Sequence, residues 1–253
     1  KMKYFTLFFL IVFTSCNKET DKDSKKVNFN IKLNTSVNNY DLILGKPILD
    51  YPQYLDSHER PFKIELLKFY ISNISFKKEN GDYVYLDDVF LIDYSNNMTL
   101  LVSFDIPSGV YSNFSFGVGL DSLLNSSDPS SFSYDAPLSI SQNTYWNWAN
   151  KYKFFMVEGR VLNSISDSLT PDIFSYHTGF DTLYRNIIFN LNSMQISNSN
   201  DTLNLELDLL KVFNGEYGSI DFVNQSFSHS ESEFEIVEII SNNLIDAFTI
   251  TNK

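Results

Sequence analysis

The sequence predicts an all-β fold, an antiparallel β-sandwich with one or two short helices near the C-terminus. Apolar and polar residues alternate over many short segments, which is the pattern of strands with one buried face. Turn residues separate these segments at short intervals, as in antiparallel sheets. The 253 residues include 15 tyrosines and 23 phenylalanines, which favour strands. Without an internal repeat or a long linker, we expect a single domain over residues 27–253.

The first 15 residues have the pattern of a bacterial lipoprotein signal peptide. A basic start, Lys1–Lys3, precedes an apolar run, Tyr4–Phe13, that is too short to span a membrane. The only cysteine, Cys16, follows a small residue as in a lipobox, so it is the expected site of lipidation. The alternative is an ordinary secretory signal with an incidental cysteine. Residues 16–26 are polar and charged, which predicts a flexible tether between the lipid and the domain.

The net charge and the cysteine content indicate which partners and which cellular location to expect. The formal net charge is −12, and loss of Lys1 and Lys3 with the signal peptide would make it about −14. Such an acidic surface argues against nucleic acid as a binding partner and against electrostatic adsorption to anionic lipids. We therefore expect the lipid to hold the protein at the cell envelope, as an outer-membrane lipoprotein that faces the periplasm or the cell surface. With one cysteine, the fold has no internal disulfide and no cluster of thiolate ligands.

The strands of the first half follow from local patterns. Val27–Leu33 alternates cleanly, whereas Gly45–Pro61 contains three prolines and predicts a loop. Phe62–Phe76 is the clearest strand, and its apolar alternation changes phase at Leu67, which predicts a β-bulge. A hairpin turn is expected at Asn80-Gly81. The other predicted segments are strands at Tyr83–Asp93, Leu100–Phe104 and Val110–Val118, then an irregular excursion over Asp121–Asn143.

Both tryptophans lie in Asn143–Arg160. Trp146 and Trp148 are two residues apart, which in an extended chain places both rings on one face. Tyr152, Phe154 and Met156 then alternate with Lys153, Phe155 and Val157, as in a strand that enters the core. Because an indole is large and its N–H needs a partner when buried, the pair predicts a core anchor or one wall of a site.

The second half of the chain contains further predicted strands, and near its end the apolar residues are spaced as in a helix. Leu203–Leu209 alternates as a strand, and Leu209–Asn214 predicts a helical turn that closes at Gly215. Glu231–Leu244 has apolar residues at helical spacing and predicts the main helix. The remaining predicted strands are Ile173–Phe180, Tyr184–Leu191 and Ile245–Ile250.

Four segments in this order resemble the MbnP-like family of copper-binding proteins, which are of the methanobactin and surface copper-acquisition type and include many Bacteroidetes lipoproteins. They are Phe62–Ile74, Phe114–Asn125, Tyr145–Gly159 and Phe174–Phe180. The resemblance implies a β-sandwich. One departure is Lys151, which stands where the family usually has the glycine before the tyrosine of the tryptophan motif.

The resemblance also implies a copper site built from histidines. By position, His177 in FSYHTGF matches best, His229 before the last helix matches more loosely, and His58 in the loop before the Phe62 strand matches weakly. In some members a tryptophan is oxidised to kynurenine by a diheme peroxidase-like partner. Trp146 and Trp148 are therefore the candidates for a modified or pocket aromatic residue. Imidazole also suits copper on chemical grounds in an exported chain without a second cysteine.

Several functions remain open. The first is a lipid-anchored protein that binds copper or a copper-carrying compound, with an outer-membrane transporter as the expected partner. The second is a non-metal interaction module, in which the histidines are structural and aromatic loops bind a partner protein or glycan. A third, less favoured, is a substrate protein whose tryptophan is oxidised by a haem partner. We expect no enzyme, because the sequence lacks hydrolase, metalloprotease, P-loop and dinucleotide motifs.

Overall fold

A computed structural model describes residues 25–163, 170–228 and 233–251 of the protein. The predicted signal peptide, Cys16 and His229 lie outside these ranges. Within them, two β-sheets pack face to face, and two further strands form a separate ribbon. This arrangement confirms the predicted β-sandwich. In the described ranges, no helix has the length and apolar character needed to cross a membrane.

The strands are β1 Lys26–Val37, β2 Tyr40–Asp41, β3 Tyr54–Leu55, β4 Pro61–Lys78, β5 Tyr83–Leu86, β6 Phe90–Asp93, β7 Leu101–Pro107, β8 Gly109–Val118, β9 Lys153–Val161, β10 Asp172–Gly179, β11 Arg185–Ile196, β12 Asp201–Asp208, β13 Asn214–Gly215, β14 Gly218–Ser219 and β15 Phe248–Thr251. The helices are α1 Ser122–Asn125, α2 Leu209–Phe213 and α3 Phe234–Ala247. The last two confirm the expected helices near the C-terminus.

The smaller sheet is built around β1. Its strands run in the order β15-β12-β1-β2, and β7 pairs with the first half of β1. β1 and β12 are parallel, with Ile31 opposite Leu203, whereas the other pairs in this sheet are antiparallel. Alternate residues of β1 enter the core, as its apolar pattern predicts.

The larger sheet is built around β4. On one edge, β9 pairs with the first half of β4 and β8 with the second half, and β10 and β11 continue outward from them. The short strands β3, β5 and β6 pair with β4 as well. Lys68 of β4 lies between Asp93 of β6 and Met156 of β9. The register between β4 and β9 shifts between Ile64 and Leu66, which confirms the bulge expected from the phase change.

The main core fills the space between the sheets with aromatic rings. Phe76 of the larger sheet contacts Phe29 of the smaller sheet edge to face, with centroids 5.7 Å apart. Phe248 of β15 makes similar contacts with Phe69 and Phe116 of the larger sheet. Such pairs add to the free energy that comes from burying their area.

A second, smaller core lies on the outer face of the larger sheet. Here the excursion after Asp121 folds back over Tyr70 and Phe154. The Tyr70 hydroxyl donates to the Pro137 carbonyl at 2.9 Å, and the Tyr152 hydroxyl donates to the Leu138 carbonyl at 2.8 Å. Because the first half of β9 is covered on both faces, the four successive residues Phe154–Val157 are all apolar.

The tryptophan segment differs from the sequence expectation. Residues 148–150 form a turn, and β9 begins only at Lys153. The turn closes because the Trp146 amide donates to the Lys151 carbonyl at 2.9 Å and the Lys151 amide donates to the Asn147 carbonyl at 2.7 Å. The prediction that both indoles share one face is therefore wrong. Trp148 is 73% exposed, whereas Trp146 packs against the end of β10.

The region Tyr83–Asp93 also differs, since it forms two short strands rather than one. β5 and β6 pair with separate parts of β4, and residues 87–89 connect them.

Candidate functional site

The histidine of the FSYHTGF motif lies on the outer face of the larger sheet. β10 pairs antiparallel with β9, which places His177 opposite Met156 and Ser175 opposite Glu158. The strand alternation sends Phe174 into the main core and His177 away from it. The His177 side chain is 9% exposed, so its ring is held among protein atoms rather than in water.

Polar groups from three segments contact His177, two of them at its ring. Its Nε2 lies 2.7 Å from Oε1 of Glu158, and the Ser175 hydroxyl lies 3.4 Å from the same nitrogen. The His177 backbone amide donates to the Ser228 hydroxyl at 3.1 Å. A carboxylate at this distance orients an imidazole and raises its basicity.

Trp146 lies beside His177, with ring centroids 6.3 Å apart and planes at 50°. The indole rests on the backbone of Gly179: a Cβ atom there would come within 2.5 Å of the Trp146 ring and 2.8 Å of the Tyr152 carbonyl. This contact explains the glycine of the FSYHTGF motif, because no larger residue leaves room for the indole.

Lys153 borders the same indole. Its Nζ lies 5.8 Å from the centre of the Trp146 ring, within the range of a cation–π contact. Burial lowers the pKa of Lys153, and the neighbouring Glu158 carboxylate opposes that shift. The site therefore contains an imidazole and an amine beside one aromatic ring, and a carboxylate that contacts the imidazole.

His177 and Trp146 share a cavity of about 890 Å³. The other residues that line it are Asn125, Ala149, Asn150, Lys151, Phe180, Asp181, Thr182, Ser228, Phe234 and Val237. The Phe180 ring lies 6.2 Å from Trp146 on one side and 6.2 Å from Phe234 of α3 on the other. A volume of this size lies in the range of sites for small organic ligands.

Two residues of the cavity have unusual backbone angles. Phe180 has φ of +70° and Lys151 has φ of +56°, a region that side chains with a Cβ rarely adopt. Such residues concentrate at functional sites, where the surrounding structure holds them in place.

Polar groups form the rim of the cavity. The Asn125 amide donates to Oδ1 of Asp181 at 2.8 Å, and its carbonyl oxygen accepts the Tyr152 amide at 3.1 Å. The Lys151 ammonium donates to the Ser126 hydroxyl at 2.9 Å and lies 4.0 Å from Oδ2 of Asp181. These bonds tie α1, the tryptophan turn and the residue after Phe180 together.

His58 lies elsewhere, in the loop before β4. Its side chain is 52% exposed and does not line the cavity of His177. Its Nδ1 lies 3.4 Å from the Arg60 guanidinium, and its Nε2 lies 4.0 Å from Asp221. The structure thus separates two of the three candidate histidines.

The other two predicted residues, His229 and Cys16, lie outside the described residues. Ser228, which precedes His229, lines the cavity and bonds to His177. Among residues 25–163, 170–228 and 233–251, no group of three histidine, cysteine, aspartate or glutamate side chains is arranged to hold a metal ion.

Sequence reasoning did not identify Glu158, Phe180 or Ser228 as site residues. Glu158 had a detectable signal, because it is a charged residue directly after the apolar run Phe154–Val157 in a core strand. Phe180 and Ser228 had none, since their role depends on which segments the fold brings together.

Comparison with known proteins gives one family and one similar structure. The MbnP family model matches residues 26–232. The solved structure of MbnP from Methylosinus trichosporium is similar, with a TM-score of 0.55 and 17% sequence identity over 76% of this chain and 78% of that one. At this identity the likeness supports the shared fold. No curated protein matches the chain.

Proposed function

The chain belongs to the MbnP family, and from that membership we propose that it is an exported, lipid-anchored protein that binds copper for uptake or handling at the cell envelope. In this proposal His177 and Glu158 supply donors to the copper ion, Trp146 forms the adjacent wall, and Cys16 carries the lipid. Incorporation of labelled palmitate into the protein, but not into Cys16→Ala, tests the anchor.

The observation that carries the copper proposal is that His177, which lines the cavity together with Trp146, contacts both Trp146 and Glu158. Nε2 of His177 and Oε1 of Glu158 are 2.7 Å apart. Nitrogen and carboxylate donors each lie about 2.0–2.2 Å from a bound transition metal, so two donors at this separation fit around one ion. Imidazole and carboxylate are also donors that oxidised copper accepts.

The two donors do not complete a coordination shell. His229 is the third donor predicted from the sequence, and it follows Ser228, which bonds to the His177 amide. His58 does not contribute in this proposal, because the Arg60 guanidinium beside it repels a cation.

Trp146 is the tryptophan next to the proposed centre. It lies 6.3 Å from His177, whereas Trp148 is exposed and contacts Tyr145. If a haem partner oxidises one tryptophan in this protein, the proposal assigns that change to Trp146. Fragmentation mass spectrometry of the peptide that holds both tryptophans, from natively expressed protein, distinguishes the two positions.

Copper titration against a chromophoric chelator tests the proposal. We expect the wild-type protein to bind one equivalent of copper at sub-micromolar concentration. His177→Ala should bind at least about tenfold more weakly, and Glu158→Gln should weaken binding by a similar factor. His58→Ala is the matched control and should bind as the wild type does.

Two results would contradict the proposal. One is the absence of stoichiometric binding by correctly folded wild-type protein. The other is equal binding by wild type and His177→Ala, which would place copper away from this cavity.

A further inference from the structure

A second surface lies on the outer side of the larger sheet, at the other end of β4 from His177. His177 pairs with Met156 of β9, and Met156 pairs with Lys68 of β4. Ser75 lies seven residues after Lys68, which along a strand is a distance on the order of 20 Å. At that end, β5 pairs with β4 and β4 pairs with β8. The alternation sends Ile74 and Phe76 into the main core.

The opposite series on these strands lies on the outer face of the sheet, where Tyr83 and Tyr85 are exposed and Ser75 is buried. Its members are Ser75 and Lys77 of β4, Tyr83 and Tyr85 of β5, and Asn113 and Ser115 of β8. We call these six residues the tyrosine face. The pairing register places them in two rows, Tyr85-Ser75-Ser115 and Tyr83-Lys77-Asn113.

The two tyrosines form an exposed parallel pair. Their ring centroids are 5.7 Å apart and their planes differ by 12°. Tyr83 is 52% exposed and Tyr85 is 71% exposed, although large aromatic rings usually lose most of their surface on folding. The Lys77 ammonium lies 5.6 Å from the Tyr83 ring and so borders the pair.

Neutral polar groups continue the surface beside the rings. The hydroxyls of Ser75 and Ser115 are 2.7 Å apart, and the Asn113 side chain lies in the neighbouring row. All six positions are within the described residues and none is acidic, in a chain that contains 31 aspartates and glutamates. The tyrosine face therefore combines two flat rings, hydroxyl and amide groups, and one cation.

We propose that the tyrosine face binds a neutral polysaccharide chain. One side of a sugar ring presents C–H groups that pack on a flat aromatic ring, while its hydroxyls need hydrogen-bond partners at the edge. Parallel exposed tyrosines supply the first requirement, and the partly exposed Lys77, Asn113 and Ser115 supply the second.

The same features argue against other occupants. Nucleic-acid bases also stack on exposed aromatic rings, but a net charge of −12 opposes the approach of a phosphate backbone. A strong protein interface places aromatic residues in an apolar core, whereas here a row of hydroxyl and amide groups adjoins the tyrosines. This proposal goes beyond copper binding and does not depend on it.

Native gel electrophoresis through gels that contain laminarin, xylan or galactomannan tests the proposal. We expect retarded migration of the wild-type protein in at least one of these gels. Tyr85→Ala and Tyr83→Ala should each weaken binding by about tenfold or more. Tyr85→Phe keeps the ring and should remain retarded, and so should His177→Ala. Tyr134→Ala removes an exposed tyrosine elsewhere and should behave as the wild type.

Wild-type protein that migrates freely in all three gels overturns the proposal. Equal retardation of the wild type and both alanine variants also overturns it, because binding would then lie on another surface. Loss of retardation in Tyr85→Phe would overturn ring stacking as its basis. Circular dichroism spectra confirm that each variant is folded.

Discussion

At the scale of single residues, Lys151 shows that the tryptophan turn keeps a left-handed position without a glycine. Its φ is +56°, and its amide and carbonyl make the two bonds that close the turn. A left-handed residue with a Cβ costs about 1–2 kcal/mol, because the Cβ approaches the following carbonyl. The family resemblance points to a glycine here, and the backbone angle gives its physical reason.

We expect Lys151→Gly to raise the free energy of unfolding by about 0.5–1 kcal/mol, since glycine adopts this angle without strain. The lost ammonium contacts to Ser126 and Asp181 are exposed and contribute little. Lys151→Ala is the control, because it removes the ammonium but keeps the Cβ. Urea unfolding measures the free energy of unfolding of the wild type and of both variants. Equal gains in both variants would show that the ammonium, not the backbone angle, destabilises the turn.

At the scale of elements, the end of β10 positions the tryptophan turn. Gly179 pairs with Lys153 at the start of β9, and the Trp146 ring packs on its backbone. The register between the strands shifts between Thr178 and Gly179, at the point where the indole needs space. The distance between Trp146 and His177 is therefore set by the fit between this strand end and the turn.

Gly179→Ala should move the indole out of place, because the new Cβ would meet both the ring and the Tyr152 carbonyl. We expect a loss of about 1–3 kcal/mol of stability and a shift in tryptophan fluorescence. Gly109→Ala is the matched control, since its Cβ would meet only ordinary contacts at 3.7 Å and beyond. An unchanged emission spectrum in Gly179→Ala would contradict the packing described for Trp146.

At the scale of the whole molecule, Arg60 joins two distant parts of the chain. Its guanidinium lies 2.7 Å from Asp56 in its own loop and 2.6 Å from Asp221, which starts the segment that leads to Ser228. Burial alone would raise the pKa of Asp221. Hydrogen bonds from Arg60, Asn224 and the Val223 amide outweigh burial and hold that pKa well below its ordinary value.

This network makes stability depend on pH in the acid range. Below about pH 4 the unfolded chain protonates at Asp221 while the folded protein does not, so the free energy of unfolding falls as pH is lowered. Above that pH the contribution is fully present. We expect Asp221→Asn to be less stable than the wild type at neutral pH and to lose less stability on acidification.

Urea midpoints measured between neutral pH and pH values below about 4 test this expectation. Asp50→Asn, which changes an exposed carboxylate, should keep the wild-type pH dependence. An identical pH dependence in wild type and Asp221→Asn would show that other groups govern acid unfolding.

The sequence by itself determined the features that depend on neighbouring residues. Strand positions and buried faces follow from alternation, as in β1 and β12, and the phase change in Phe62–Phe76 located the bulge of β4. The acidic charge is a property of composition. The turn after Trp146 was missed because the two tryptophans alternate as in a strand. The chain reverses there because the Asn147 side-chain oxygen accepts hydrogen bonds from the Ala149 and Asn150 amides.

Only the tertiary structure decided which remote segments meet. It placed His177 beside Glu158 and Trp146 and placed His58 with Arg60 and Asp221. Spacing along the chain carries no information about such encounters, because strand order and register in a sheet arise from long-range pairing. The same pairing aligned Tyr83 and Tyr85 with the polar row of β4 and β8. Local pattern thus determines what each strand presents, and the packing of strands determines which groups share a site.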